Sequence, residues 1–155
     1  GKSKNKWPAK HDNILVYVKN PKKYTFNVNE VDRIPYMAPG LVGPEKAKIG
    51  KLPTDTWWHT IVSPNGKEKT GYPTQKPLAI LERIIRVHSN PGEKVLLVDD
   101  VLATGGTLAA AIKLINKTGA TVTSVAVLLE IAALGGREKL QKQFPGLEIN
   151  AIFIV

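Results

Sequence analysis

Asp99 and Asp100, followed by Ala103, Thr104, Gly105, Gly106 and Thr107, are the residues whose types and spacing best suit chemistry in this chain. Two adjacent carboxylates can accept hydrogen bonds from ribose hydroxyls. Two glycines let the backbone approach an anion closely, and the free amides of a helix start point at it. The hydroxyls of Thr104 and Thr107 add donors. The set is a grip for a sugar phosphate. Adjacent side chains on an extended strand point to opposite sides, so one acid can face a ribose while the other faces a neighbouring loop or a metal. A plainer reading makes one acid a partner of the helix dipole and the turn a tight connection without a ligand. Two glycines, two hydroxyls and two acids at this spacing favour the ligand.

The elements around these residues must hold them at one edge. Val95 to Val98 predict a buried strand with the acids at its carboxyl end. A helix is predicted from Thr107 to about Thr118, with Leu108, Ala111, Ile112 and Ile115 inward and Gly119 ending it. Val122–Leu129 is nearly all apolar and predicts a strand buried on both faces. A short helix over Arg137–Gln143 and a strand over Ile149–Ile154 follow. Alternating strands and helices predict an α/β fold, a Rossmann-like parallel sheet with right-handed crossovers and its ligand at the carboxyl edge of the strands. Upstream, the pattern predicts strands at Ile14–Val18 and Trp57–Val62. A helix from Pro77 to about His88 carries Leu78, Leu81, Ile84, Ile85 and His88 on one stripe. Residues 31–55, rich in Pro and Gly, read as a loop.

At 155 residues the chain is one domain by size. It has no cysteine, which excludes disulfides and thiolate metal sites. No apolar run approaches membrane-spanning length and the start is no signal peptide, so the expected compartment is cytoplasmic. The net charge is +9, and residues 1–51 carry eleven Lys/Arg against four Asp/Glu. This irregular, basic amino-terminal segment suits contact with DNA phosphates; a solvated, lysine-rich surface accounts for it equally well. The apolar run Ala151–Val155 predicts an exposed strand edge and hence a homo-oligomer.

Val98-Asp-Asp-Val-Leu-Ala-Thr-Gly-Gly-Thr107 resembles the phosphoribosyl-pyrophosphate (PRPP) signature of type I phosphoribosyltransferases, adenine phosphoribosyltransferase in particular. Leu-Leu-Glu-Ile at 128–131 and Gly-Gly-Arg-Glu-Lys-Leu at 135–140 resemble the segment that follows there, so the likeness covers about 94–140. The resemblance implies a phosphoribosyltransferase-like sheet, with Asp99 and Asp100 beside the ribose hydroxyls and residues 103–107 around the phosphate. It implies Mg²⁺ arriving with PRPP, largely through water and phosphate rather than direct protein ligands. It also implies an apolar contact of Ile131 with the base, although Ile131 reads as well as plain core. The family's amino-terminal half, with its pyrophosphate loop and catalytic loop, has no counterpart here. The expectation is therefore binding of PRPP or a nucleoside monophosphate, with little or no turnover.

Residues 7–93 resemble a different family, the exocyclic-amino (adenine or cytosine) DNA methyltransferases. The likeness rests on His11-Asp-Asn-Ile-Leu15, Tyr24-Thr-Phe-Asn27, Thr54–Val62 and Gly71-Tyr-Pro-Thr-Gln-Lys-Pro77 with the helix after it. In that family the last element leads into the S-adenosylmethionine site. Here the strand after Pro91-Gly92-Glu93 leads into the Asp-Asp motif instead, and the Asp/Asn-Pro-Pro-Tyr/Trp tetrapeptide is nowhere in the chain. The resemblances together imply a chimera with its seam at 91–93. The segments expected are 1–71, methyltransferase-derived and loop-rich, and 72–155, the α/β core. Three functions follow: a phosphoribosyltransferase-like binder of PRPP or a nucleotide, a DNA-binding fragment without methyl transfer, or a fusion without function.

The remaining chemistry-bearing residues read more plainly. His11, His59 and His88 lack ligand spacing and receive no catalytic role. Of Trp57 and Trp58, one is expected inward and one outward; the outward ring could stack on a base but more often covers apolar surface. Lys76 meets a phosphate or stands solvated.

Overall fold

A computed structural model describes residue 5, residues 11–73 and residues 75–155. Its centre is a parallel sheet of three strands, β1 (Val95–Leu102), β2 (Val122–Glu130) and β3 (Glu148–Ile154), in the order β1-β2-β3. Register runs from Val95 opposite Val122 to Leu102 opposite Glu130, and from Ser124 opposite Glu148 to Glu130 opposite Ile154. Helix α3 (Gly106–Asn116) connects β1 to β2, and α4 (Gly136–Gln143) connects β2 to β3. The α/β class and the parallel pairing expected from the alternating pattern are both present.

One face of the sheet carries the core. Leu102, Val125, Ile112 and Leu140 are sealed there, joined by Leu108, Ala109, Ile115, Val127, Leu147 and Ile149. Helix α3 is buried over a wider arc than its predicted stripe, taking in Ala109 and Leu114. The reason is α2 (Leu78–His88), which packs on α3 and brings Leu81 and Ile85 to the same core.

The opposite face is open. Leu96, Val98, Leu128, Ile152 and Ile154 are all more than half exposed. This corrects the expectation that Val122–Leu129 is buried on both faces. Its apolar run provides for a second covering layer, as parallel sheets generally require, but the described residues place helices on one side only.

Other boundaries also differ. Strand β1 runs to Leu102, so Asp99 and Asp100 lie within it rather than at its end, and α3 opens at Gly106 and closes at Asn116. The strands expected at Ile14–Val18 and Trp57–Val62 do not form. Neither run has a ladder partner, and Tyr17 and Ile61 stand out in solvent. Residues 31–55 are more ordered than their Pro and Gly content suggests. They contain a short helix α1 (Pro44–Ile49), entered through Pro44 at its first turn and Gly43 at φ +80°. An antiparallel bridge between Ile34 and Lys51 closes the segment.

The amino-terminal arm is fastened to α2. The Asn27 amide donates to Val87 O at 2.8 Å, and its side chain donates to Ser89 O at 2.8 Å. These bonds satisfy carbonyls that the end of a helix leaves without partners. Asp32 adds ion pairs with Arg86 and, at 3.7 Å, Arg83.

Candidate functional site

The end of β1, the turn 103–105 and the first turn of α3 make one continuous surface. Gly105 is the N-cap of α3, in the left-handed region at φ +71°, and no side chain caps the helix. Only from Ala109, which donates to Gly105 O at 2.9 Å, do the helix amides find helical acceptors. The amides before it are left to an outside partner. An added Cβ on Gly106 would meet nothing closer than Thr104 Oγ1 at 3.7 Å, so there is room for a ligand beside it. Thr104 and Thr107 are both exposed. Sequence reasoning placed 103–107 around an anion, and the structure brings them together.

The turn is held from behind by the start of α4. A Cβ on Gly136 would overlap the Ala103 carbonyl oxygen and stand 2.8 Å from Leu102 Cδ1 and 3.0 Å from the Gly105 nitrogen. A Cβ on Gly105 would stand 2.9 Å from Gly136 O. The two backbones touch with no space for side chains, so Gly136 sets the position of the turn. The Gly-Gly pair 135–136 was visible in the sequence, but nothing local to it points at residue 103.

Asp99 is half-buried and Asp100 exposed, as alternation along a strand requires. Asp99 Oδ1 accepts the Asp100 amide at 3.0 Å, and Asp100 Oδ1 accepts the Val101 amide at 2.8 Å. Each carboxylate keeps a second oxygen for a hydroxyl or a hydrated cation. Among the described residues, no group of three or more His, Cys, Asp or Glu stands together. The free carboxylate oxygens of Asp99 and Asp100 are hard donors of the kind that suits hydrated Mg²⁺.

Ile131 follows β2, and its amide donates to Leu102 O at 2.9 Å, which fixes it half-buried beside the end of β1. Glu130 is the neighbouring acid. It is 4% exposed and paired with Arg137, whose Nε donates to its two oxygens at 2.9 and 3.1 Å. Arg137 Nη1 also donates to Ile149 O at 2.8 Å. The Glu130 carboxylate holds the Arg137 guanidinium above its ordinary value. The partners are seven positions apart in sequence, across a turn and a helix start, so no periodicity announces the pair.

The loop before α2 reaches the same surface. Tyr72 Oη lies 3.2 Å from Thr107 Oγ1. Lys76 is exposed and pairs with Asp12 at 2.6 Å, and its hydrogen bond and charge pull the Asp12 carboxyl below the usual range. Trp57 is half-buried beneath Arg83, whose guanidinium stands 4.9 Å over the ring, while Trp58 is exposed. The inward and outward pair expected there is present without the strand. His88 meets Phe26 edge-on at 5.5 Å. His11, His59 and His88 line a cavity of about 1370 Å³ with Trp57 and Tyr24, and none of its lining residues belongs to 95–107.

The sequence matches the DNA methylase family over residues 1–153. It is 33% identical to the type II methyltransferase M.HpaI of Haemophilus parainfluenzae over 96% of this chain and 43% of that protein. It is also 45% identical to an adenine phosphoribosyltransferase of Ruegeria pomeroyi over 68% of this chain and 51% of that protein. The chain therefore spans about half the length of the curated relatives it matches. The adenine phosphoribosyltransferase structure from Rhodothermus marinus covers 44% of this chain and 37% of its own, at 35% identity and a TM-score of 0.39. Both resemblances read from the sequence are present. They overlap instead of meeting at 91–93, since the methylase match runs on through β1, α3 and β2 to residue 153.

Proposed function

The chain belongs to the DNA methylase family, and from that premise we propose that its α/β half binds a phosphorylated ribose, as PRPP or a nucleoside monophosphate, at residues 99–107. The observation that carries this reading is the uncapped start of α3 with open space beside Gly106. A phosphate there accepts first-turn amides and the Thr104 and Thr107 hydroxyls, in the field of the helix dipole. Asp99 and Asp100 accept from the ribose hydroxyls, and Ile131 offers an apolar side to the base. Mg²⁺ bound to the phosphates supplies charge neutralisation. The function assigned is binding.

Gly106 provides the test. Its backbone is not in the left-handed region and an added Cβ meets nothing closer than Thr104 Oγ1, so Gly106→Leu is expected to keep the fold and to fill the anion's place. Titration calorimetry with inorganic phosphate and adenosine monophosphate should show binding to the unsubstituted chain, weakened at least about tenfold in the variant, roughly 1.4 kcal/mol. Equal affinity in the two proteins would sink the proposal.

The family membership and the basic excess of residues 1–51 favour a second reading, a fragment that holds DNA. It predicts binding of duplex DNA that falls steeply with salt, with no response to phosphate at Gly106. On either reading this chain alone should transfer no methyl group, because the Asp/Asn-Pro-Pro-Tyr/Trp tetrapeptide is not in its sequence. Incorporation of labelled methyl into DNA above a no-enzyme control would contradict that.

A further inference from the structure

The geometry points to Tyr72 as a positioning residue of the phosphate site, supplied by the loop that precedes α2; this rests on the binding reading above. Tyr72 Oη and Thr107 Oγ1 are 3.2 Å apart. A phenol that donates to the threonine oxygen leaves the threonine proton free to turn toward a ligand. Thr107 then presents a fixed donor where a free hydroxyl would rotate among several partners.

The loop is built to hold Tyr72 still. Gln75 Oε1 accepts the Thr70 amide at 2.7 Å and the Thr70 hydroxyl at 2.9 Å, and Gln75 Nε2 donates to Glu68 O at 2.9 Å. Glu68 Oε2 accepts the Leu78 amide at 2.7 Å, which ties the loop to the first residue of α2. Lys117, just past the end of α3, donates from Nζ to Glu68 O at 3.2 Å. The loop is thus fastened to both helices, and Tyr72 lies between those fastenings against the first turn of α3. The segment that carries the methyltransferase resemblance completes a site that the phosphoribosyltransferase resemblance describes.

Tyr72→Phe removes one oxygen and keeps the ring. Inorganic phosphate and adenosine monophosphate should each bind about fivefold more weakly to Y72F, the worth of one hydrogen bond, with an unchanged melting midpoint. The double variant Y72F/T107V should bind no more weakly than T107V alone, because Tyr72 acts through that hydroxyl. A merely structural role would instead lower the midpoint and add its full effect to that of T107V. Wild-type binding with no loss in Y72F, or full additivity in the double variant, overturns the role of Tyr72 and leaves the site standing. Absence of phosphate binding in the wild type overturns both.

Discussion

Gly136→Ala is expected to be the most damaging single-atom change in the α/β half. The new Cβ would overlap the Ala103 carbonyl and crowd Leu102 and the Gly105 amide. Two of these three neighbours are backbone, so no rotamer change relieves the contact. Either α4 moves off the sheet, breaking the Leu140 packing, or the turn 103–105 moves out of place. Overpacking of this kind costs about 3 kcal/mol or somewhat more. Urea unfolding should show the loss as a lower midpoint at an unchanged slope. Phosphate affinity should fall together with stability, whereas Gly106→Leu lowers affinity alone. A fully stable Gly136→Ala protein would mean that α4 does not abut the turn.

The second large effect lies at Arg137. Removing its side chain leaves Glu130 buried at 4% exposure without a partner, and leaves Ile149 O without its donor. Breaking such a pair from one side costs on the order of 3 kcal/mol. Replacing both residues, Glu130→Leu with Arg137→Met, should recover most of that, because no charge is then stranded. Melting midpoints of the single and double variants decide the matter. If Arg137→Ala is as stable as the parent, the pair contributes nothing and Glu130 reaches water. A double variant as unstable as the single would instead assign the loss to the Ile149 contact and to packing.

These positions mark where the sequence stops being legible. Residues 94–130 could be read because their pattern is local. A short apolar run, a glycine turn and a 3.6-residue stripe each fix their own conformation. The strand that carries Asp99 and Asp100, the turn at 103–105 and the helix after it were legible for that reason, with strand and helix ends off by a few residues. The role of Gly136 was not readable, since its reason is a contact with residue 103 rather than a turn of its own. The Glu130–Arg137 pair and the Tyr72–Thr107 contact are tertiary in the same way. Ile14–Val18 and Trp57–Val62 failed for the opposite cause. Their apolar and β-branched residues suit a strand, but a strand exists only where another lies beside it. Exposure of Leu128 had no sequence cue either, because an apolar run does not reveal whether both sides of its sheet are covered.

The order of the sheet bears on how the chain finds its structure. Strands β1, β2 and β3 lie side by side in the order in which they occur in the chain, each joined to the next by one α-helix, preceded in the second connection by a 3-10 turn at Ala132–Leu134. Among the described residues, no strand has to wait for a distant segment to be inserted beside it. Parallel pairing is rewarded only after its connection has closed, and here each closure spans one helix and its turns, near the minimum that a parallel crossover allows. Loop-closure entropy grows only slowly with length, so the two closures face similar barriers. During synthesis β1, α3 and β2 can pair before β3 has left the ribosome. The arm held at Asn27, by contrast, is made before its anchor in α2, some sixty residues later, so it stays undocked until that helix exists.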